Sequence, residues 1–318
     1  MTINARMGFI EWRDLLSLAF LWGLSFFVVE IAVTELQPLS IVALRVSIAA
    51  VVLWVFLFFT GQINSLGREG WFTCAVMSVI NNVIPFSLIV WGQQTITGGL
   101  AAIINASTPL FTVLVAGLLL QDERLTGSRL LGALTGLAGV AIMMTSTTSG
   151  TSDTSQWMIR SNDDWLARLA IAGAAISYAF ATVWGRRFKA LKLPTKQVVA
   201  GQLTVSTLIM IPLALLIDQP LSDVAGLSSI STATIVSILT LSIACTAFAY
   251  LLYFRILSSA GAVNLSLVTL LIPVTAVLLG RLFLGEHIGL IEYAGMAIIA
   301  LGLLVIDGRL WHRLTRKL

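Results

Sequence analysis

The chain has 318 residues, 58% of them hydrophobic and only 11% charged, with a mean hydropathy of +0.96. Soluble domains carry about a quarter charged residues, so a water-covered surface is excluded and the solvent must be lipid. The formal charge of +4 then belongs to basic loops on one membrane face, and no nucleic-acid partner is expected.

A membrane crossing needs about 20 apolar residues. Runs of that kind predict ten helices, over residues 14–33, 38–60, 71–91, 98–120, 127–146, 164–185, 196–217, 232–254, 261–284 and 288–306. The first run has no small-residue cleavage site behind it, so it reads as a retained helix. Turn chemistry marks the breaks: GQINSLGREG after the second helix, TGG before the fourth, DER after it, and DQPLSDVAG after the seventh. The polar stretch STTSGTSDTSQ, 146–156, divides the chain. We therefore expect a first repeat over 1–146, a periplasmic linker over 147–163 and a second repeat over 164–318.

The two halves echo each other. Gly98, Glu123, Gly132 and Gly139 return 163 positions later as Gly261, Glu286, Gly295 and Gly302, and Pro109 returns as Pro273 with one extra residue. Trp22 and Pro38 find counterparts at Tyr178 and Pro194. A repeat of half the chain indicates a duplicated bundle. Lys and Arg are also uneven. Arg160, Arg168 and Arg281 lie on one side, Arg45 lies within the second span, and every other basic residue falls at the termini or in the even-numbered connections. That bias predicts cytoplasmic termini. With an odd number of spans per half, the second half enters from the opposite side, as in inverted-repeat transporters.

Three segments carry a resemblance: WGLSFFVVE from Trp22 to Glu30, LRVSIAA from Leu44 to Ala50, and the Pro…Glu…Gly…Gly pattern at Pro109, Glu123, Gly132 and Gly139 with its copy at Pro273, Glu286, Gly295 and Gly302. The sequence resembles the drug/metabolite transporter superfamily, in its ten-helix form with two EamA repeats, and is similar there to bacterial exporters of aromatic amino acids. The resemblance implies an all-α polytopic protein of the inner membrane, with two inverted five-helix repeats around a central cavity.

Proline inside a helix frees the carbonyl four residues earlier. Pro85, Pro109 and Pro273 free those of Asn81, Asn105 and Thr269, and an unpaired carbonyl in hydrocarbon costs several kcal/mol unless protein or water meets it. Helices three, four and nine should therefore face a polar interior with Asn82 and Ser107. Trp22, Ser25, Tyr178, Gln202, Thr246 and Tyr250 complete the candidate substrate contacts, with Thr204 and Asn264 close behind. Glu30 and Arg45 are candidates for gating, either as an ion pair across the first turn or with Arg45 attracting a substrate carboxylate; the three prolines are candidate hinges. Gly132, Gly136, Gly139, Gly295 and Gly302 suit close helix packing, within a monomer or across a homodimer.

No Lys, Arg, Asp, Glu or His stands at the middle of a span, which favours a zwitterionic or neutral substrate over a phosphorylated one. The reading is export of small metabolites, amino acids foremost, by alternating access down a gradient, with Glu30 the sole acidic candidate for proton coupling. The alternatives are export of hydrophobic cations or drugs, and lipid scrambling. No enzyme, metal or cofactor is expected, because His287 and His312 sit at span ends and Cys74 and Cys245 lie alone in apolar runs.

Overall fold

The computed structural model describes residues 8–63, 65–120, 127–144, 157–220, 230–265 and 267–307. Among them are ten helical elements and no strand. They are α1 Phe9–Ala32, α2 Pro38–Phe59, α3 Gly67–Gly92, α4 Gly98–Leu119, α5 Gly127–Met144, α6 Trp157–Ala190 and α7 Thr195–Asp218. Next, α8 runs through Thr232–Leu239, Thr240–Phe248 and Ala249–Ser259. The set ends with α9, made of Gly261–Leu265 and Val268–Leu284, and α10, Leu290–Asp307. The protein is an all-α polytopic membrane protein. Seven helices are long and apolar enough to cross a bilayer alone, while α5, α9 and α10 hold the shorter apolar runs Leu130–Met144, Val268–Leu284 and Leu290–Ile306.

Local chemistry sets the helix starts. Pro38 opens α2 after an extended Gln37, and the Thr97 and Ser231 hydroxyls cap α4 and α8 by accepting the N–H groups of Leu100 and Thr234. Helix α6 begins at Trp157, about two turns before residue 164. Glu123 and the stretch 145–156 lie outside the described residues.

The packing shows how the halves relate. Helix α2 lies on α7, α4 on α9 and α5 on α10, so each contact joins an element to its counterpart in the other half. These pairs run antiparallel. Ser40 at the start of α2 meets Asp218 at the end of α7, while Trp54 near the far end of α2 meets Thr204 nearer the start of α7. In α5 and α10, Gly132 faces Gly302 and Gly139 faces Gly295. Cross-contacts are matched too: α1 packs on α9 and α8 as α6 packs on α4 and α3, and α2 packs on α8 as α7 packs on α3. Equivalent helices that pair antiparallel place the halves in opposite directions through the membrane.

The glycine faces of α5 and α10 are used up inside the chain. A Cβ on Gly132 would stand 2.7 Å from the Gly302 carbonyl, and one on Gly139 would stand 2.8 Å from that of Gly295. This is small-residue packing between backbones, and it leaves those glycines no face for a second copy.

One polar clasp joins the α1–α2 turn to α8. The Glu35 carboxylate accepts the Ser231 N–H at 2.9 Å, and this bond holds its carboxyl below the usual carboxylate range. A depressed pKa adds stability above the unfolded-state value, so the contribution is present at neutral pH and fades as the pH falls through the lowered pKa.

Candidate functional site

The centre of the bundle is polar. It is assembled from both halves, by α2 and α3 of the first and by α6, α7 and α8 of the second. In α3 the backbone widens into a π-helical turn over Val79–Val83, and its counterpart α8 does so over Thr240–Phe248. Such turns project side chains off the regular helical register and recur at functional sites.

Asn81 and Asn82 ride on the α3 turn. The Asn81 Nδ2 donates to the Tyr250 hydroxyl at 3.0 Å, that hydroxyl lies 3.3 Å from Asn82 Oδ1, and Asn82 Nδ2 donates to Ser206 Oγ at 2.9 Å. Ser206 also contacts Ser78 Oγ at 2.9 Å and donates to the Gln202 carbonyl at 2.8 Å. Asn82, Ser78 and Ser206 are fully buried and Gln202 nearly so. This network fixes α3 against α7 and α8 through groups that are costly to leave unpaired in an apolar interior. Asn82→Leu should accordingly lower the melting temperature in detergent by the equivalent of about 1–3 kcal/mol. An unchanged melting curve would mean that the network carries no stability.

Arg45 occupies the same region, only 7% exposed. Its Nε donates to Thr246 Oγ1 at 2.9 Å, its guanidinium carbon stands 3.7 Å over the Phe86 ring, and Tyr178 and Tyr250 lie within electrostatic range of it. A guanidinium over an aromatic face gains cation–π attraction while its fork stays oriented for a planar anion. The expected pairing of Arg45 with Glu30 is not formed. Glu30 turns to the start of α4, where it accepts the Gly98 N–H at 2.7 Å. The sequence sets no charged residue at mid-span, yet the structure brings one charge there. Arg45 starts about two turns inside α2, and its long side chain carries the charge to the level of Thr246 in the middle of α8.

Other candidates lie apart from this cluster or turn to local partners. Trp22 stacks against Tyr253 with ring centroids 5.7 Å apart, and Ser25 and Ser107 each donate to a carbonyl three residues back, those of Trp22 and Ile104. The carbonyl freed by Pro109 does belong to Asn105, and the Thr108 hydroxyl meets it at 2.7 Å, while Asn105 Oδ1 is buried without a partner. At Pro85 the π turn shifts backbone pairing by one residue, so the carbonyl that receives a side chain is that of Ile80, from Ser177 Oγ at 2.7 Å. Helix α4 breaks at Ala106–Ser107, just before Pro109, whereas α9 breaks about two turns before Pro273, close to half-buried Thr269. Thr204 accepts from Trp54 Nε1 at 2.8 Å, and Asn264 donates to the Ala260 carbonyl at 2.9 Å.

Sequence reasoning missed the contact that closes the start of α1. Asp14, 4% exposed, binds Arg13 at 2.7 Å and, across to α8, Arg255 at 3.1 Å. Placed at the edge of an apolar run, Asp14 gave no signal beyond a span boundary. Cys74 and Cys245 are buried free thiols, and among the described residues no group of His, Cys, Asp and Glu could hold a metal ion.

Comparison with known proteins adds the following. The profile of the EamA-like transporter family matches residues 15–145 and 165–307. A WAT1-related chloroplastic protein of Arabidopsis thaliana is 25% identical over 94% of this chain and 70% of its own, and the uncharacterized inner membrane transporter YedA of Escherichia coli K12 is 26% identical over 92% and 89%. A protein named as a probable amino-acid metabolite efflux pump, also from Escherichia coli K12, is 23% identical over 93% of this chain and 94% of its own. A crystal structure superposes with a TM-score of 0.63 over 93% of this chain and 96% of that one, at 19% identity, which speaks for the fold alone.

Proposed function

Because the chain belongs to the EamA-like transporter family, we propose that it exports small zwitterionic metabolites, amino acids foremost, across the bacterial inner membrane. The two inverted halves alternate access to the polar centre between α2, α3, α6, α7 and α8. Residues 1–146 and 164–318 are the moving units, and both termini lie in the cytoplasm.

The observation that carries this reading is the setting of Arg45. A buried guanidinium on Thr246 and Phe86, with Tyr178 and Tyr250 in electrostatic range and Asn81 bonded to Tyr250, suits a carboxylate with hydrogen-bonding neighbours. The same charge opposes export of hydrophobic cations, which it would repel. It is also too little for a phosphate dianion, which calls for several cations. Lipid scrambling needs a hydrophilic path facing the bilayer. The groove of about 400 Å³ between α1 and α8 is mainly apolar, with Phe27, Val28, Ile31 and Val236 in its wall. The relative named as a probable amino-acid metabolite efflux pump agrees with the substrate class.

The test is uptake of a panel of radiolabelled amino acids into proteoliposomes, with and without a pH gradient. At least one amino acid should be carried and competed by its unlabelled form. Transport of lipids or organic cations in place of every amino acid would overturn the proposal.

A further inference from the structure

At the face opposite the start of α1, three helices meet on two glycines. Gly98 and Gly99 open α4, and their N–H groups point at two carboxylates. Glu30 of α1 accepts from Gly98 at 2.7 Å and Glu286, just past α9, accepts from Gly99 at 3.2 Å. The absence of side chains lets the carboxylates in: a Cβ on Gly98 would lie 2.8 Å from Glu30 Oε2, and one on Gly99 would lie 2.7 Å from Glu286 Oε2.

The two carboxyl groups converge on consecutive amides of one helical turn, Glu30 on Gly98 and Glu286 on Gly99. Two carboxylates held on neighbouring amides repel each other, and a proton on one of them removes that repulsion and supplies a donor to the other. The remaining single negative charge matches the positive end of α4. Two further atoms mark the site as unfinished. Glu286 is 7% exposed and its Oε1 has no partner, and Gln93, 4% exposed, leaves its own Oε1 without one while its Nε2 donates to the Phe26 carbonyl. The Gln93 amide lies against Gly98, 3.1 Å from the position of a Cβ there.

We propose that Glu30 and Glu286 form a proton-binding carboxyl pair, which holds a proton while α1, α4 and α9 are packed together and releases it when they separate. The first part stands on this geometry alone, and the release step rests on the alternating-access reading. On separation, a carboxylic acid at one Glu becomes a carboxylate and its proton leaves to water. Arg281, His287 and Tyr293 line a cavity of about 110 Å³ with Glu286. They are the charged and titratable groups facing it from the α9–α10 segment; Gln93 is the polar group facing the pair from α4's side. The exit therefore has a route past His287, whose imidazole can hand a proton on.

Infrared difference spectroscopy on the full-length protein in detergent, titrated with pH, reads the pair directly. A protonated-carboxyl stretch should be present at neutral pH. It should shift by at least a pH unit toward acid in both Glu30→Gln and Glu286→Gln, and stay in place in His287→Gln. No such band at neutral pH, a band indifferent to both glutamate variants, or one removed by sodium at constant pH would overturn the pair. The wild-type titration alone decides its existence if a variant fails to fold. Release is read separately, with a pH indicator in weak buffer on addition of a transported amino acid. Acidification that both variants abolish supports the release step. A retained infrared band with no acidification overturns that step and leaves amino-acid export standing.

Discussion

Arg45→Ala is expected to weaken amino-acid transport by roughly tenfold to a hundredfold while leaving the melting temperature in detergent unchanged or raised. The two effects separate because the guanidinium's structural and recognition roles oppose each other. Burying a cation with no carboxylate partner is unfavourable, and Arg45 makes up only part of the loss through Thr246 and Phe86. Removing it relieves that strain on the fold. What disappears is a charge-assisted hydrogen bond to the substrate carboxylate, worth about 1.5–3 kcal/mol. Arg45→Lys should recover little, because an ammonium neither stacks flat on Phe86 nor presents a fork. Initial rates of uptake and a thermal melt, run on the same preparations, check this. A variant that transports normally but melts early would make Arg45 a structural residue.

Gly302→Leu should prevent recovery of a folded, monodisperse protein. Its Cβ would stand 2.6 Å from both the Gly132 carbonyl and the Gly136 nitrogen, and 2.7 Å from the Gly136 Cα. All three are backbone atoms, so no side chain can swing aside and α5 must back away from α10. Overpacking in a close-packed interior costs about 1–3 kcal/mol or more, and here the displaced contact is the seam joining the ends of the two halves. Gly127→Leu is the control, since nothing lies within 4 Å of a Cβ there. Size-exclusion profiles of the two variants should differ: aggregation or loss for Gly302→Leu, a wild-type peak for Gly127→Leu. A normal profile for Gly302→Leu would mean that the seam is loose.

The frame of this protein was legible because hydropathy reports depth. Apolar runs place helices across the bilayer, and the 163-residue echo from Gly98 to Gly261, with an odd number of spans per half, is enough to invert the copies. Depth along a helix says little about which way a residue points. Glu30 and Arg45 look like neighbours across one turn, yet Arg45 meets Thr246, 201 residues away, and Glu30 meets Gly98. Those partners follow from the interlacing of the halves, which brings α1 to α4 and α9, and α2 to α8. The π-helical turns were invisible as well. Nothing in VINNV or TLSIACTAF marks a widened backbone, so the freed carbonyl at Pro85 was assigned one residue late. Asn81, Asn82, Gln202 and Tyr250 stand out in the sequence because polar groups at mid-span are few, and the structure joins them in one cluster with Ser206, which the sequence did not single out.

The central claim is that the inverted halves enclose a site whose guanidinium recognises a carboxylate. Counterflow in proteoliposomes tests it most directly, by setting each transported amino acid against the amine left when its carboxylate is removed. The account predicts exchange of the amino acid, no exchange of the amine, and loss of that distinction in Arg45→Ala. Equal exchange of both compounds by the wild-type protein would contradict it.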